Sequence, residues 1–238
     1  MLTLLALRFS SLIRKEKKMN MKIYLVRHGE SVQNTGENEK LGLADHRIVL
    51  TEKGKEQARA SALVLRDELN KNLGLKSKCR VWYSPYDRTK ETKDVFDSVI
   101  NFEELGIDTR EDIRLTEQQF GLFDSLPEEK WKEVYPREYD CFRKFKDQKG
   151  KFWARYPLGE SPFDVACRVK TFFGTIQRDY EKHGIDTLVI FTHGVTLRTF
   201  TMEYLHLGVA WYEEEKNPGN CWIRLIDGHS DKGYLYKA

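Results

Sequence analysis

The feature that most constrains this chain is a pattern met three times. Short, largely apolar runs at Lys22 to Val26, Arg80 to Tyr83 and Thr187 to Phe191 each stop abruptly, at Arg27-His28-Gly29, Ser84-Pro85 and Thr192-His193-Gly194. A dense apolar run too short for a helix predicts a strand buried on both faces of a parallel sheet. After each run the apolar period becomes helical. Ala58, Ala62, Leu65 and Leu69 mark a helix from Thr51 to about Asn70, with Thr51 placed to cap it. Thr92, Val95, Phe96 and Val99 mark a second, and Leu197, Phe200, Thr201 and Tyr204 a third. Strand alternating with helix predicts an α/β fold, with the polar residues gathered at the carboxyl ends of the strands.

With 238 residues, 40% of them hydrophobic, the chain suits one large domain over residues 21–238 better than two complete ones. The stretch from Phe120 to Pro157 is rich in Lys, Glu and aromatic residues and reads as a mostly helical insertion, its aromatics packing on one another. Ser161-Pro162-Phe163-Asp164 then reads as a capped helix start, with Val165, Val169, Phe172 and Ile176 on the buried face. Residues 1–20 put an apolar run ahead of a basic patch; the run is too short to span a bilayer and is in the wrong order for a secretory signal. They read as a disordered extension of a cytoplasmic protein, in preference to a mitochondrial targeting segment over residues 1–18.

The 40 basic residues nearly balance the 37 acidic ones, so the net charge of +3 calls for neither nucleic acid nor an anionic membrane. A homodimer is left open. Cys79, Cys141, Cys167 and Cys221 are widely separated, as expected of reduced thiols. No HExxH pair or Cys/His cluster announces a metal, and no metal or cofactor is expected.

Three strand ends would bring Arg27-His28, Ser84 to Arg88 and His193 together: two imidazoles and two guanidiniums. A guanidinium offers a planar fork to phosphate oxygens, and a neutral imidazole nitrogen can attack phosphorus. The same residues carry a resemblance. Leu25-Val26-Arg27-His28-Gly29-Glu30-Ser31 is similar to the signature of the histidine phosphatase (phosphoglycerate mutase-like) superfamily. Leu50 to Ala58, Ser84-Pro85-Tyr86-Asp87-Arg88-Thr89, Leu115 to Gly121 and Thr192-His193-Gly194 resemble its remaining motifs in order. The resemblance implies a three-layer α/β/α sandwich with a mostly parallel sheet. It further implies that His28 becomes phosphohistidine, that Arg27, Arg88 and His193 hold the phosphoryl oxygens with Gly194 beside them, that Asn34 adds a hydrogen bond, and that Glu117 is the general acid. Taken on their own, Glu117 could be a solvated residue near a turn and Asn34 part of an ordinary turn. His46, His183, His206 and His229 match no catalytic position.

The superfamily contains mutases and phosphatases that share a pocket. Mutases of this kind carry adjacent arginines in the insertion; Trp131 to Arg137 shows no such pair. Phe152 to Ser161 and Asn217-Pro218-Gly219-Asn220-Cys221 resemble instead the broad-range acid phosphatases of yeast and plants. The resemblance therefore implies hydrolysis of a small phosphorylated substrate. A phosphoglycerate mutase-type phosphotransferase is the alternative, and a non-catalytic interaction domain a weaker one. Leu122-Phe123-Asp124 departs from both groups and leaves substrate choice open.

Overall fold

The computed structural model describes residues 19–36, 43–73, 78–124 and 126–238. The expectations for residues 1–18 lie outside the described residues. Six strands form one sheet in the order β3-β2-β4-β1-β5-β6. They are β1 (Lys22–Arg27), β2 (Cys79–Tyr83), β3 (Asp108–Glu111), β4 (Thr187–Thr192), β5 (Ile223–Asp227) and β6 (Ser230–Tyr236). The pairs β1/β4, β4/β2 and β2/β3 are parallel; β5 and β6 join antiparallel at the β1 edge.

The apolar runs are explained by what covers them. On one face Ile23, Leu25, Leu188 and Ile190 pack against α5 (Pro162–Arg178) and α6 (Gly194–Tyr204), through Val165, Val169, Phe172, Leu197 and Phe200. On the other, Tyr24, Val26, Val81, Val189 and Phe191 pack against α1 (Glu52–Asn72) and α2 (Asp87–Ile100), through Ala58, Ala62, Leu65, Leu69 and Phe96. Alternate residues of each central strand thus feed two cores, which is why the runs lack polar alternation. The helix starts behave as their sequences suggest. Thr51 accepts a hydrogen bond from the Gly54 amide at 3.0 Å, and Ser161 and Asp164 form a reciprocal capping box.

The stretch 120–157 contains α3 (Glu128–Val134) and α4 (Pro136–Lys149). Phe123, Phe142 and Ala154 form a small core of their own there, flanked by Trp131, Tyr135, Tyr139 and Tyr156. Three aromatics read as belonging to that cluster do not. Phe152 is buried in the main core, where its ring meets Tyr212 at 5.1 Å, and Phe145 and Trp153 are exposed. A final helix, α7 (Val209–Glu214), carries Tyr212. At the other end, Met19, placed by the sequence reading in the extension, packs half-buried against the main core.

Candidate active site

Strand register assembles the site. Arg27 pairs with Thr192 across β1 and β4, and Tyr83 pairs with Phe191 across β2 and β4, so His28, Ser84 and His193 leave three neighbouring strands at nearly one level. The His28 and His193 ring centroids are 5.2 Å apart, edge to face. His28 Nδ1 lies 2.7 Å from the Gly29 carbonyl oxygen. A carbonyl only accepts, so Nδ1 carries the proton and Nε2 keeps a lone pair. Burial, then the charges of Arg88 and Arg27, hold the His28 pKa well below the ordinary imidazole value; the Gly29 carbonyl pulls the other way and is outweighed.

His193 is fully buried, and its Nε2 faces the hydroxyls of Ser84 at 2.8 Å and Thr89 at 3.2 Å. Its pKa too is held well down, first by burial and then by Arg88. Arg88 is 1% exposed and is anchored by Nη1 donating to the Asp45 carbonyl oxygen at 2.7 Å and to the Asp45 carboxylate at 2.9 Å. The Tyr86 ring lies under its guanidinium, at 4.8 Å from the centroid. Arg27 donates from Nη1 to the Pro218 carbonyl at 2.5 Å. Burial chiefly, opposed by Glu117 and reinforced by Arg88, lowers its pKa. Seven buried side-chain nitrogen and oxygen atoms among the described residues have no hydrogen-bond partner, and three of them, Arg27 Nε, Arg88 Nε and His193 Nδ1, belong to side chains around His28. Unmet buried donors are costly, and the two guanidinium Nε groups beside one imidazole suit an anion with several oxygens.

Glu117 sits at the rim of this group, 9% exposed. Its carboxylate accepts from the Gln118 amide at 2.9 Å and from the Val195 amide, in the first turn of α6, at 3.4 Å. The loop that carries it is braced from behind. Arg168 on α5 donates to the carbonyls of Arg114 at 2.7 Å and Glu117 at 3.0 Å while ion-paired with Glu160 at 2.9 Å. Gly121 closes the loop at φ +59°, where a Cβ would stand 2.1 Å from the Pro157 carbonyl oxygen.

His28, Arg27, Arg88, His193 and Glu117 are thus brought together. Gly194 opens α6 next to them, with the Asn217 side chain packed where a Cβ would be. Asn34 is exposed and one step further out; its Oδ1 accepts from the Ser31 amide at 3.1 Å and from Asn220 Nδ2 at 3.1 Å. Asn220 also donates to the His28 carbonyl at 3.1 Å, and the Cys221 amide reaches the same carbonyl at 3.2 Å. The roles of Asn220, Pro218 and Asp45 escape sequence reasoning. The first two lie in a stretch noticed only for its resemblance, and Asp45 lies in a segment without periodicity. Among the described residues no group of three or more His, Cys, Asp or Glu side chains is arranged to hold a metal ion, and no helix is long and apolar enough to cross a membrane.

Comparison with known proteins gives the family and the fold. A family model described as "Histidine phosphatase superfamily (branch 1)" matches residues 23–237. The "Phosphoglycerate mutase-like protein AT74H" of Arabidopsis thaliana is 32% identical over 94% of this chain and 80% of its own length. The "Broad-range acid phosphatase DET1" of Saccharomyces cerevisiae is 27% identical, covering 86% of this chain and 84% of that protein. Among solved structures, mycobacterial glucosyl-3-phosphoglycerate phosphatase in complex with VO3 superposes with a TM-score of 0.65 at 24% identity, over 89% of this chain and 94% of that one. That likeness is one of fold, and it bears out the expected mostly parallel α/β architecture.

Proposed function

The chain belongs to the histidine phosphatase superfamily, branch 1, and from that premise we propose that it hydrolyses phosphomonoesters through a phosphohistidine on His28. The observation that carries this reading is the pairing of a buried imidazole, its Nδ1 proton directed to the Gly29 carbonyl and Nε2 free, with the unpaired Nε donors of Arg27 and Arg88.

Arg27, Arg88 and His193 bind the phosphoryl oxygens, and their charge and hydrogen bonds stabilise the negative charge spread over those oxygens during transfer. His28 Nε2 attacks phosphorus, and the bond to the ester oxygen breaks. Glu117 gives its proton to that departing oxygen, then takes one from the water that attacks phosphohistidine, which returns His28 and releases inorganic phosphate. The Gly29 carbonyl stabilises the positive charge that His28 acquires on phosphorylation, since Nδ1 keeps its proton toward it. No step calls for a metal. Within the superfamily the finer reading is a broad-range acid phosphatase, supported by the 27% identical yeast relative of that name and by the absence of adjacent arginines at Trp131 to Arg137.

The test is phosphate release from an aryl phosphate across pH, with chelator present, by the wild type and by His28→Ala. Chelator-resistant release with an acidic optimum, lost in the variant, is expected. A folded wild type that releases no phosphate, yet exchanges it with phosphoglycerate once primed by a bisphosphate, would overturn hydrolysis in favour of phosphotransfer.

A further inference from the structure

A cleft of about 460 Å³ opens between two loops that both come from the candidate active site. One wall is residues 33–36, which begin five positions after His28; the other begins at Phe120, three positions after Glu117. Asn34 joins cleft to pocket, being two hydrogen bonds from the His28 carbonyl through Asn220. The cleft itself is lined by none of His28, Arg27, Arg88, His193 or Glu117, so what it can receive is the far end of a substrate's alcohol, not the phosphoryl group.

The lining is unlike the pocket behind it. Phe120, Phe123, Leu126, Pro127 and Trp131 make up half of its described lining residues, no Lys or Arg lines it among the described residues, and the one ionisable residue in that lining is Asp124. Trp131 donates its indole N–H to the Leu126 carbonyl at 2.9 Å and stacks on Phe123 at 4.7 Å, so it meets the cleft as an apolar ring. Clefts of this size and lining bind apolar bodies, and a carboxylate there would meet no Lys or Arg among the described lining residues.

We infer that this chain selects phosphomonoesters whose alcohol carries a bulky apolar or aromatic group, and selects against those that carry a carboxylate beside the phosphate. The inference rests on the phosphatase reading above and adds its substrate class. Adding or removing apolar contact in such a site shifts discrimination by about 10- to 200-fold.

The test uses three primary alkyl esters of similar leaving-group basicity: ethyl phosphate, 3-phenylpropyl phosphate and 3-phosphoglycerate. The expected order of kcat/KM is phenylpropyl highest, by about tenfold over ethyl, with 3-phosphoglycerate lowest. Trp131→Ala should narrow the phenylpropyl-to-ethyl ratio to within about threefold. Leu126→Lys, which leaves the Leu126 backbone contact in place, should raise 3-phosphoglycerate relative to phenylpropyl phosphate; it serves if Trp131→Ala loosens the insertion. Release that depends on His28 but is equal across the three esters, or greatest for 3-phosphoglycerate, would overturn the inference and leave the phosphatase reading standing. No release from any ester would sink the phosphatase reading itself.

Discussion

The candidate active site and the segment of residues 120–157 are built on opposite principles. The pocket buries His28, Arg88, His193, Ser84 and Thr89, and each is tied to a strand end or a helix start. The segment contributes no buried polar or charged side chain among its described residues; it is held by Phe123, Phe142 and Ala154 with a ring of half-buried aromatics. Burying like charges together destabilises the fold, and only a rigid two-sided core can hold them in register. An aromatic cluster tolerates changes of shape that a hydrogen-bonded constellation does not. The candidate catalytic groups are therefore fixed by the two-sided core, and the aromatic segment is the part whose shape can vary.

The comparison breaks most sharply at His28. His28→Asn should lower phosphate release by at least about 10⁴-fold and abolish labelling of the protein by substrate phosphate, while tryptophan emission from the 120–157 segment stays unchanged; a labelled variant would remove His28 as the nucleophile. Glu117→Gln, on the boundary between the regions, should cost about 10²–10⁴-fold for alkyl esters and markedly less for aryl esters, whose oxygens leave without a proton. A loss independent of the leaving group would make Glu117 a binding group instead.

Asn220 tests whether the pocket depends on its backbone supports. Asn220→Ala removes donors to the His28 carbonyl and to Asn34, and should reduce kcat by about tenfold with little change in KM, as loss of one buried hydrogen-bonded group does. A change in KM alone would place Asn220 in substrate binding. In the soft region, Phe142→Ala should cost the segment about 3 kcal/mol. Faster amide exchange and proteolysis confined to 120–157, with kcat within about threefold, would sharpen the contrast; global unfolding would show the two regions to be one cooperative unit.

A further effect is on stability against pH. His28 and His193 are held neutral in the fold with lowered pKa values, whereas the unfolded chain binds protons on both near pH 6.5. Below that pH the unfolded state takes up more protons, so stability falls as pH drops, by about 1.4 kcal/mol per unit for each imidazole. Urea midpoints between pH 6.5 and 5 should show this slope, and His28→Asn should reduce it by about half. An unchanged slope in the variant would mean that His28 titrates alike in both states.

The three central strands and their helices were legible because a strand covered on both faces must be apolar throughout, and β1 and β4 are. The other three were not. β3 reads Asp-Thr-Arg-Glu and is mostly exposed, since it is an edge strand paired with β2 alone. β5 turns Arg224 inward, where Asp231 and Glu215 neutralise it, and this disguises its pattern; the Asp227-Gly228 turn, with Gly228 at φ +60°, was the signal available. Burial lengthened the reading at the other end, where Met19 packs on the core.

Of the candidate site, the residue types and order that name His28, Arg27, Arg88, Glu117 and His193 stand in the sequence itself, because the proposed phosphoryl transfer through an imidazole would require a nucleophile, cations and an acid of those kinds. Only the tertiary structure decided that strand register levels His28 with His193, that Asp45 anchors Arg88 from 43 positions away, and that Asn220 reaches back 192 positions to the His28 carbonyl. A short polar residue in a loop has no periodicity to betray it, and its partner is chosen by where the chain returns in space.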